Sequence, residues 1–239
     1  MPKKQVVGFA LSAVAIVFLA ACQAFSPGTI GVQERAGVQS ASERLAEAVA
    51  RTRSVDLRFV ARAGADSLTG GQDTRSRAAG FGHNEGLNFI TTADTLYVQG
   101  APEVPEGVWA RASTAKIAAS CSFAAAGDPI YALSLVLAAT SVEPVDDTNY
   151  SGRADLGKVT GSAATMKTNE FFSALAEGST SEIPFTATTD SSGFVTSVTA
   201  TFRTADGELP YSLTLSAFGT THPVAIPTSA VEAPSYVYG

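Results

Sequence analysis

Thiol and imidazole side chains, the groups best suited to chemistry near neutral pH, are scarce in this 239-residue chain. There are two cysteines, Cys22 and Cys121, and two histidines, His83 and His222. Cys22 directly follows an uncharged apolar stretch and two alanines. A thiolate is a strong nucleophile, so Cys22 is a candidate either for covalent modification or for an ordinary buried thiol.

The residues before Cys22 are arranged like an export signal. Lys3 and Lys4 form a basic start, and residues 6–19 are apolar. These 14 residues fall short of the roughly 20 that a transmembrane helix needs, so we expect a signal peptide over residues 1–21. An alternative is an ordinary secretory signal in which Cys22 stays unmodified or pairs with Cys121.

The four residues Leu19-Ala20-Ala21-Cys22 resemble the lipobox of bacterial lipoproteins. The resemblance implies cleavage between Ala21 and Cys22 and acylation of Cys22, including a palmitate-type chain. It also implies a lipid-anchored protein on the extracytoplasmic face of the cell membrane. Residues 22–38 would then be the lipidated cysteine and a flexible tether, since they contain one proline and several glycines without an apolar period.

The net negative charge argues against one class of partner, the nucleic acids. The formal charge is −6, and removal of Lys3 and Lys4 with the signal peptide takes it to −8. Clustered Lys and Arg, which nucleic acids require, are absent, so we expect no nucleic-acid partner.

The motifs of common enzymes are also absent from the sequence. There is no G-x-S-x-G, no phosphate-binding glycine loop and no paired His or Cys at metal-ligand spacing. His83 and His222 are expected in solvated loops, and Cys121 is expected to be a small buried or half-buried side chain. We therefore predict a protein that is not an enzyme, with no cofactor, no metal and no catalytic residue.

The elements that must position any site begin with a helix. Ser40 and Glu43 have capping-box spacing, and Leu45, Ala48, Val49 and Thr52 recur on one helical face. Alternation of Val55, Leu57, Phe59 and Ala61 with polar residues then predicts a half-buried strand, followed by short strands in an antiparallel meander.

The middle and the end of the sequence predict two more helices and three closing strands. Asp128 is expected to be the N-cap and Pro129 the first residue of an unusually apolar helix, and residues 168–178 predict another helix. Turns at 190–193 and 205–208 separate the closing strands. On these strands one face is expected to carry Phe194, Thr196, Val198, Ala200 and Phe202, and another Leu209, Tyr211, Leu213, Leu215 and Ala217.

Five segments in this order resemble the LprG/LppX-type actinobacterial lipoproteins, which share their fold with the LolA and LolB carriers. The segments are "LAEAVARTRSVDLRF", "DTLYVQG" with "GVWARAS", "LSLVLAATSVEPVDDTNYSGRADL", "IPFTATTDSSGFVTSVTATF" and "LSAFGTTHPVAIPTSAV". The resemblance implies an α+β fold: a curved, incompletely closed antiparallel half-barrel with helices on its concave face. Residues 39–239 would form this single domain.

The resemblance further implies a cavity between sheet and helices that holds the acyl chains of a lipid or glycolipid. The protein would bind and transfer this lipid in the cell envelope, with a membrane transporter as a partner. The expected lining residues are Leu57, Phe59, Ile130, Leu133, Leu137, Phe171, Leu175, Phe185, Val198, Phe202 and Leu213. The alternative is a sensory or protein-binding lipoprotein on the same scaffold, in which these side chains fill the core.

Overall fold

The computed structural model describes residues 39–117, 128–159, 182–204 and 207–238. The α-helices within these ranges are α1 (Ala41–Arg53) and α2 (Ala132–Leu137). The first six strands are β1 (Leu57–Ala63), β2 (Asp66–Asp73), β3 (Ala78–His83), β4 (Asn88–Thr91), β5 (Thr95–Gln99) and β6 (Ala110–Ser113). The other strands are β7 (Ala139–Pro144), β8 (Asn149–Ala154), β9 (Ile183–Thr189), β10 (Val195–Thr204), β11 (Gly207–Ser216) and β12 (Val231–Glu232).

The described strands form one sheet in the order β12-β6-β5-β4-β3-β2-β1-β11-β10-β9-β8-β7. Its end strands, β12 and β7, are not hydrogen-bonded to each other, so the sheet does not close in the described part of the chain. Neighbouring strands are antiparallel except for β12 and β6. This large curved and unclosed sheet with few helices confirms the predicted α+β half-barrel.

Helix α1 forms as its sequence predicts. The Ser40 hydroxyl accepts a hydrogen bond from the N–H of Glu43, and the Glu43 carboxylate accepts one from the N–H of Ser40. This capping box satisfies N–H groups that the first turn would otherwise leave free. The predicted apolar face is the buried one: Leu45, Ala48, Val49 and Thr52. Through it α1 packs against α2, β7 and β10.

The core lies between the helices and one face of the sheet. Side chains that lie opposite each other on neighbouring strands point to the same side of the sheet. Phe59 lies opposite Leu215 in this way, and Val198 lies opposite Leu213. These four side chains are 0–3% exposed and belong to one apolar cluster with the buried residues of both helices.

The start of α2 differs from the prediction. The N-cap is Tyr131, and Asp128 and Pro129 lie in a turn before the helix. The Asp128 carboxylate accepts a hydrogen bond from the N–H of Ile130, but it also pairs with Arg53 at the end of α1. The helix therefore begins three residues later than predicted, and the Asp128 carboxylate serves both the turn and a long-range ion pair.

The face of β10 also differs from strict alternation. The pairing of β10 with β9 shifts between Val195 and Ser197, which is a β-bulge. The bulge puts Val195 into the core, whereas Phe194 and Thr196 are only half-buried. Phe194 instead stacks on Phe218, with ring centroids 4.7 Å apart. Beyond the bulge, the predicted positions Val198, Ala200 and Phe202 are buried.

Residues 217–238, the C-terminal strap, cross the face of the sheet opposite the helices. His222 accepts a hydrogen bond from Arg58 Nε (3.3 Å), and the N–H of Val224 donates to Asp73 Oδ2 (3.2 Å). A Cβ at Gly80 would lie 3.3 Å from the Val224 side chain, so glycine leaves room for the strap there. Further along, the strap forms strand β12, which pairs with β6.

Three expectations fall outside the described residues: the signal and lipobox with Cys22, the environment of Cys121, and the helix with Phe171 and Leu175. Within the described ranges, neither helix has the length and apolar character needed to cross a bilayer.

Candidate functional site

A cleft of about 430 Å³ lies where α1 ends, beside β2, β3 and β4 and the turn that precedes α2. Its volume is within the roughly 300–1,000 Å³ typical of small-molecule sites. The cleft is lined by Arg53, Ser54, Phe59, Gln72, Asp73, Thr74, Arg77, Ala78, Ala79, Thr91, Thr92, Ala93, Asp128, Pro129 and Ile130.

The apolar part of the cleft comes from three elements. Phe59 points inward from β1, Ala78 and Ala79 lie at the start of β3, and Ile130 lies in the turn before α2. All four residues are buried, with exposures of 1–9%. Together they form the apolar floor of the cleft, against which a hydrocarbon group can lie.

An ion pair joins the two helical segments at the cleft. Arg53 Nη2 donates to Asp128 Oδ2 at 3.2 Å and to Ser134 Oγ at 2.7 Å. The Asp128 side chain is 7% exposed and the Arg53 side chain is 33% exposed. A carboxylate buried to this degree needs a partner, so Arg53 stabilises the position of the turn before α2.

The turn between β2 and β3 is held by two buried carboxylates. Asp56 accepts hydrogen bonds from the hydroxyl and the N–H of Thr74, at 2.6 and 2.8 Å, and these bonds lower the pKa of Asp56. Asp73 accepts from the N–H groups of Arg75 and Val224. The cleft wall is thereby connected to β1 and to the C-terminal strap.

Two tyrosines lie in the core near Asp128. The rings of Tyr131 and Tyr211 have centroids 4.8 Å apart, at 54°. Burial raises the pKa of both hydroxyls, and the charge of Asp128 raises that of Tyr211 further. Both side chains therefore remain neutral, and neither can serve as a base near neutral pH.

The predicted lining residues separate into three groups. Phe59 and Ile130 line the cleft. Leu137, the last residue of α2, has 54% of its surface exposed. The remaining described residues of the prediction are 0–3% exposed and pack in the core: Leu57, Leu133, Phe185, Val198, Phe202 and Leu213.

The polar side of the cleft was not predicted. In the sequence Arg53 is an ordinary residue of the last helical turn, and Arg77 lies in a turn with nothing to mark it. The one available signal was Asp128, an isolated acid before a long uncharged segment, for which a cap is the simpler interpretation.

The two histidines do not converge on a common site. His83 is the last residue of β3, near Asp66 and Glu85, and His222 lies in the strap against Arg58. Among the described residues, no group of three His, Cys, Asp or Glu side chains is arranged to hold a metal ion.

No protein-family model and no curated protein matches the chain. Among solved structures, its fold is similar to the crystal structure of the Mycobacterium tuberculosis lipoprotein LppX, at 15% sequence identity. The alignment covers 77% of this chain and 98% of that chain, with a TM-score of 0.45. This neighbour is of the LprG/LppX type that the sequence segments resemble, and the likeness concerns the fold.

Proposed function

We propose that this protein is a membrane-anchored lipoprotein that binds a lipid or glycolipid in the cell envelope and passes it to a transporter partner. The anchor would be acylated Cys22, at the extracytoplasmic face of the cell membrane. Two or three acyl chains at one residue give stable attachment, whereas a single chain is marginal.

The observation that carries the proposal is the cleft between the helices and the sheet, with Phe59 and Ile130 in its apolar part. Each CH₂ group that leaves water contributes roughly 0.8 kcal/mol, so a few carbons of an acyl chain in such a recess supply useful affinity. The polar rim leaves the head group in a wet environment. A cleft of this composition suits an amphiphile better than a fully apolar molecule.

Residues 39–239, which form one compact unit, can be expressed in a lipid-containing host and analysed by native mass spectrometry and organic extraction. We expect co-purified lipid and saturable binding of cis-parinaric acid, whose fluorescence rises on burial. A clean protein mass together with no parinaric acid binding would refute lipid binding.

One observation favours the second candidate, a non-catalytic protein-binding or sensory lipoprotein with a filled core. Six predicted lining residues, including Leu133, Phe202 and Leu213, are buried in the core and do not line the cleft. This candidate predicts specific capture of an envelope protein by a chain that carries no lipid. The same mass spectrum therefore separates the two functions.

A further inference from the structure

Four charged side chains line the cleft, and its two carboxylates already have hydrogen-bond donors. Asp73 Oδ1 accepts from the N–H of Arg75 at 3.0 Å and Asp73 Oδ2 from that of Val224 at 3.2 Å. Asp128 Oδ1 accepts from the N–H of Ile130, and Asp128 Oδ2 accepts from Arg53. Both carboxylates of the cleft are thus already hydrogen-bonded within the protein.

The two guanidinium groups retain unused donors. Arg53 binds Asp128 and Ser134 through Nη2 alone, and its Nε and Nη1 make no hydrogen bond within the described residues. Arg77 makes no hydrogen bond or ion pair to any described residue, although it lines the same cleft. Guanidinium groups present a planar set of donors that matches a carboxylate or a phosphate.

The backbone at Arg77 has a conformation that is costly for residues other than glycine. Its φ is +52°, in the left-handed region that favours glycine. Glycine would adopt this conformation at lower cost. Strained residues of this kind concentrate at binding sites.

We propose that the cleft binds an amphiphile with an anionic head group, a carboxylate or a phosphate. The head-group oxygens would accept hydrogen bonds from Arg53 and Arg77, and the hydrocarbon chain would lie against Phe59, Ala79 and Ile130. This inference rests on the proposed function and adds the charge class of the lipid to it.

Competition against cis-parinaric acid on the purified full chain tests the head group. The competitors are dodecanoate, dodecyl phosphate and dodecanol, which share a twelve-carbon chain. We expect the two anions to displace the probe at about tenfold lower concentration than dodecanol, since hydrogen bonds to charged groups contribute roughly 1.5–3 kcal/mol. The ratio of the two anions shows whether carboxylate or phosphate is preferred.

Arg77→Gln is the main variant, because Arg77 is exposed and its loss breaks no hydrogen bond or ion pair among the described residues. Arg75→Gln, in the same turn but outside the cleft lining, is its control. Arg53→Lys keeps the ion pair with Asp128 while it removes the guanidinium donors. We expect Arg77→Gln and Arg53→Lys to weaken both anions several-fold and to leave dodecanol unchanged, with Arg75→Gln like the wild type.

Equal displacement by all three competitors, or equal loss in Arg77→Gln and Arg75→Gln, overturns the head-group inference and leaves lipid binding intact. Absence of any parinaric acid binding removes the proposed function as well. Thermal melting of each variant verifies that a loss of binding is not a loss of folding.

Discussion

The hydroxyl of Thr52 in α1 accepts a hydrogen bond of 2.8 Å from the backbone N–H of Val195, 143 residues later in the chain. Both residues are fully buried. The N–H belongs to the bulge where β10 departs from its register with β9. Thr52 also donates to the carbonyl of Ala48. The Thr52 side chain therefore provides a hydrogen-bond acceptor for the backbone N–H at the β-bulge.

Thr52→Val should destabilise the protein by about 2 kcal/mol, because the buried N–H of Val195 loses its acceptor. Thr52→Ser keeps the hydroxyl and loses one methyl group, so it should cost about 1 kcal/mol or less. Urea unfolding of the three proteins measures the difference. A Thr52→Val protein as stable as the wild type would mean that the hydrogen bond does not stabilise this contact.

Arg77→Gly should stabilise the fold, although it removes a side chain from the cleft. Relief of the left-handed backbone gains roughly 1–2 kcal/mol, and the greater freedom of glycine in the unfolded chain returns roughly 0.5–1 kcal/mol. Arg75→Gly, at a residue outside the left-handed region, should only lose stability. Chemical denaturation compares the two, and an Arg77→Gly variant less stable than the wild type would contradict the strain.

Asp146 in the β7–β8 turn makes stability depend on acid pH. Hydrogen bonds from the N–H of Thr148 and from the Asn149 side chain lower the pKa of Asp146 to about 2. Because this folded-state pKa is below the unfolded value, the stabilisation is present above about pH 4 and is lost as the pH falls toward 2.

The difference in melting temperature between wild type and Asp146→Ala should therefore shrink between pH 4 and pH 2. Asp147→Ala is the matched control, since the Asp147 side chain makes no hydrogen bond to a described residue. Scanning calorimetry over this pH range gives the comparison. A pH-independent difference would show that the charge of Asp146 does not contribute.

Ala93→Trp should obstruct the cleft without disturbing the core. Ala93 is an exposed residue of the lining, so the larger ring can occupy the recess from outside. We expect cis-parinaric acid to bind about tenfold more weakly, with stability within about 0.5 kcal/mol of the wild type. Ala115→Trp, at an exposed position away from the cleft, should bind normally. Unchanged binding by Ala93→Trp would place the lipid elsewhere.

Cys22→Ser should abolish acylation, because a hydroxyl does not replace the thiolate in this reaction. The acyl mass should disappear from the intact-protein mass spectrum. Cys121→Ser is the control and should keep the acyl mass and the membrane location. An unmodified wild-type Cys22, or a disulfide to Cys121, would refute the anchor.

The local elements of this protein could be predicted from its sequence. The capping box, the buried face of α1 and the alternation of β1 and β11 each depend on residues a few positions apart. The 3.6-residue period of a helix and the 2-residue period of a strand are properties of the backbone. They can therefore be identified without knowing which segments pack against the element. The curved antiparallel sheet was predicted from its resemblance to a known family.

The tertiary structure decided the points where one segment meets another. Arg53 pairs with Asp128, the Thr52 hydroxyl accepts the N–H at the bulge, and the strap covers Gly80. It also placed Phe59 and Ile130 in the part of the core that lines the cleft, whereas Leu133 and Phe202 do not line it. The pattern of apolar residues assigns a side chain to one face of a strand or helix. Whether that face is packed or borders a cavity depends on the side chains that meet it, and these come from distant parts of the chain.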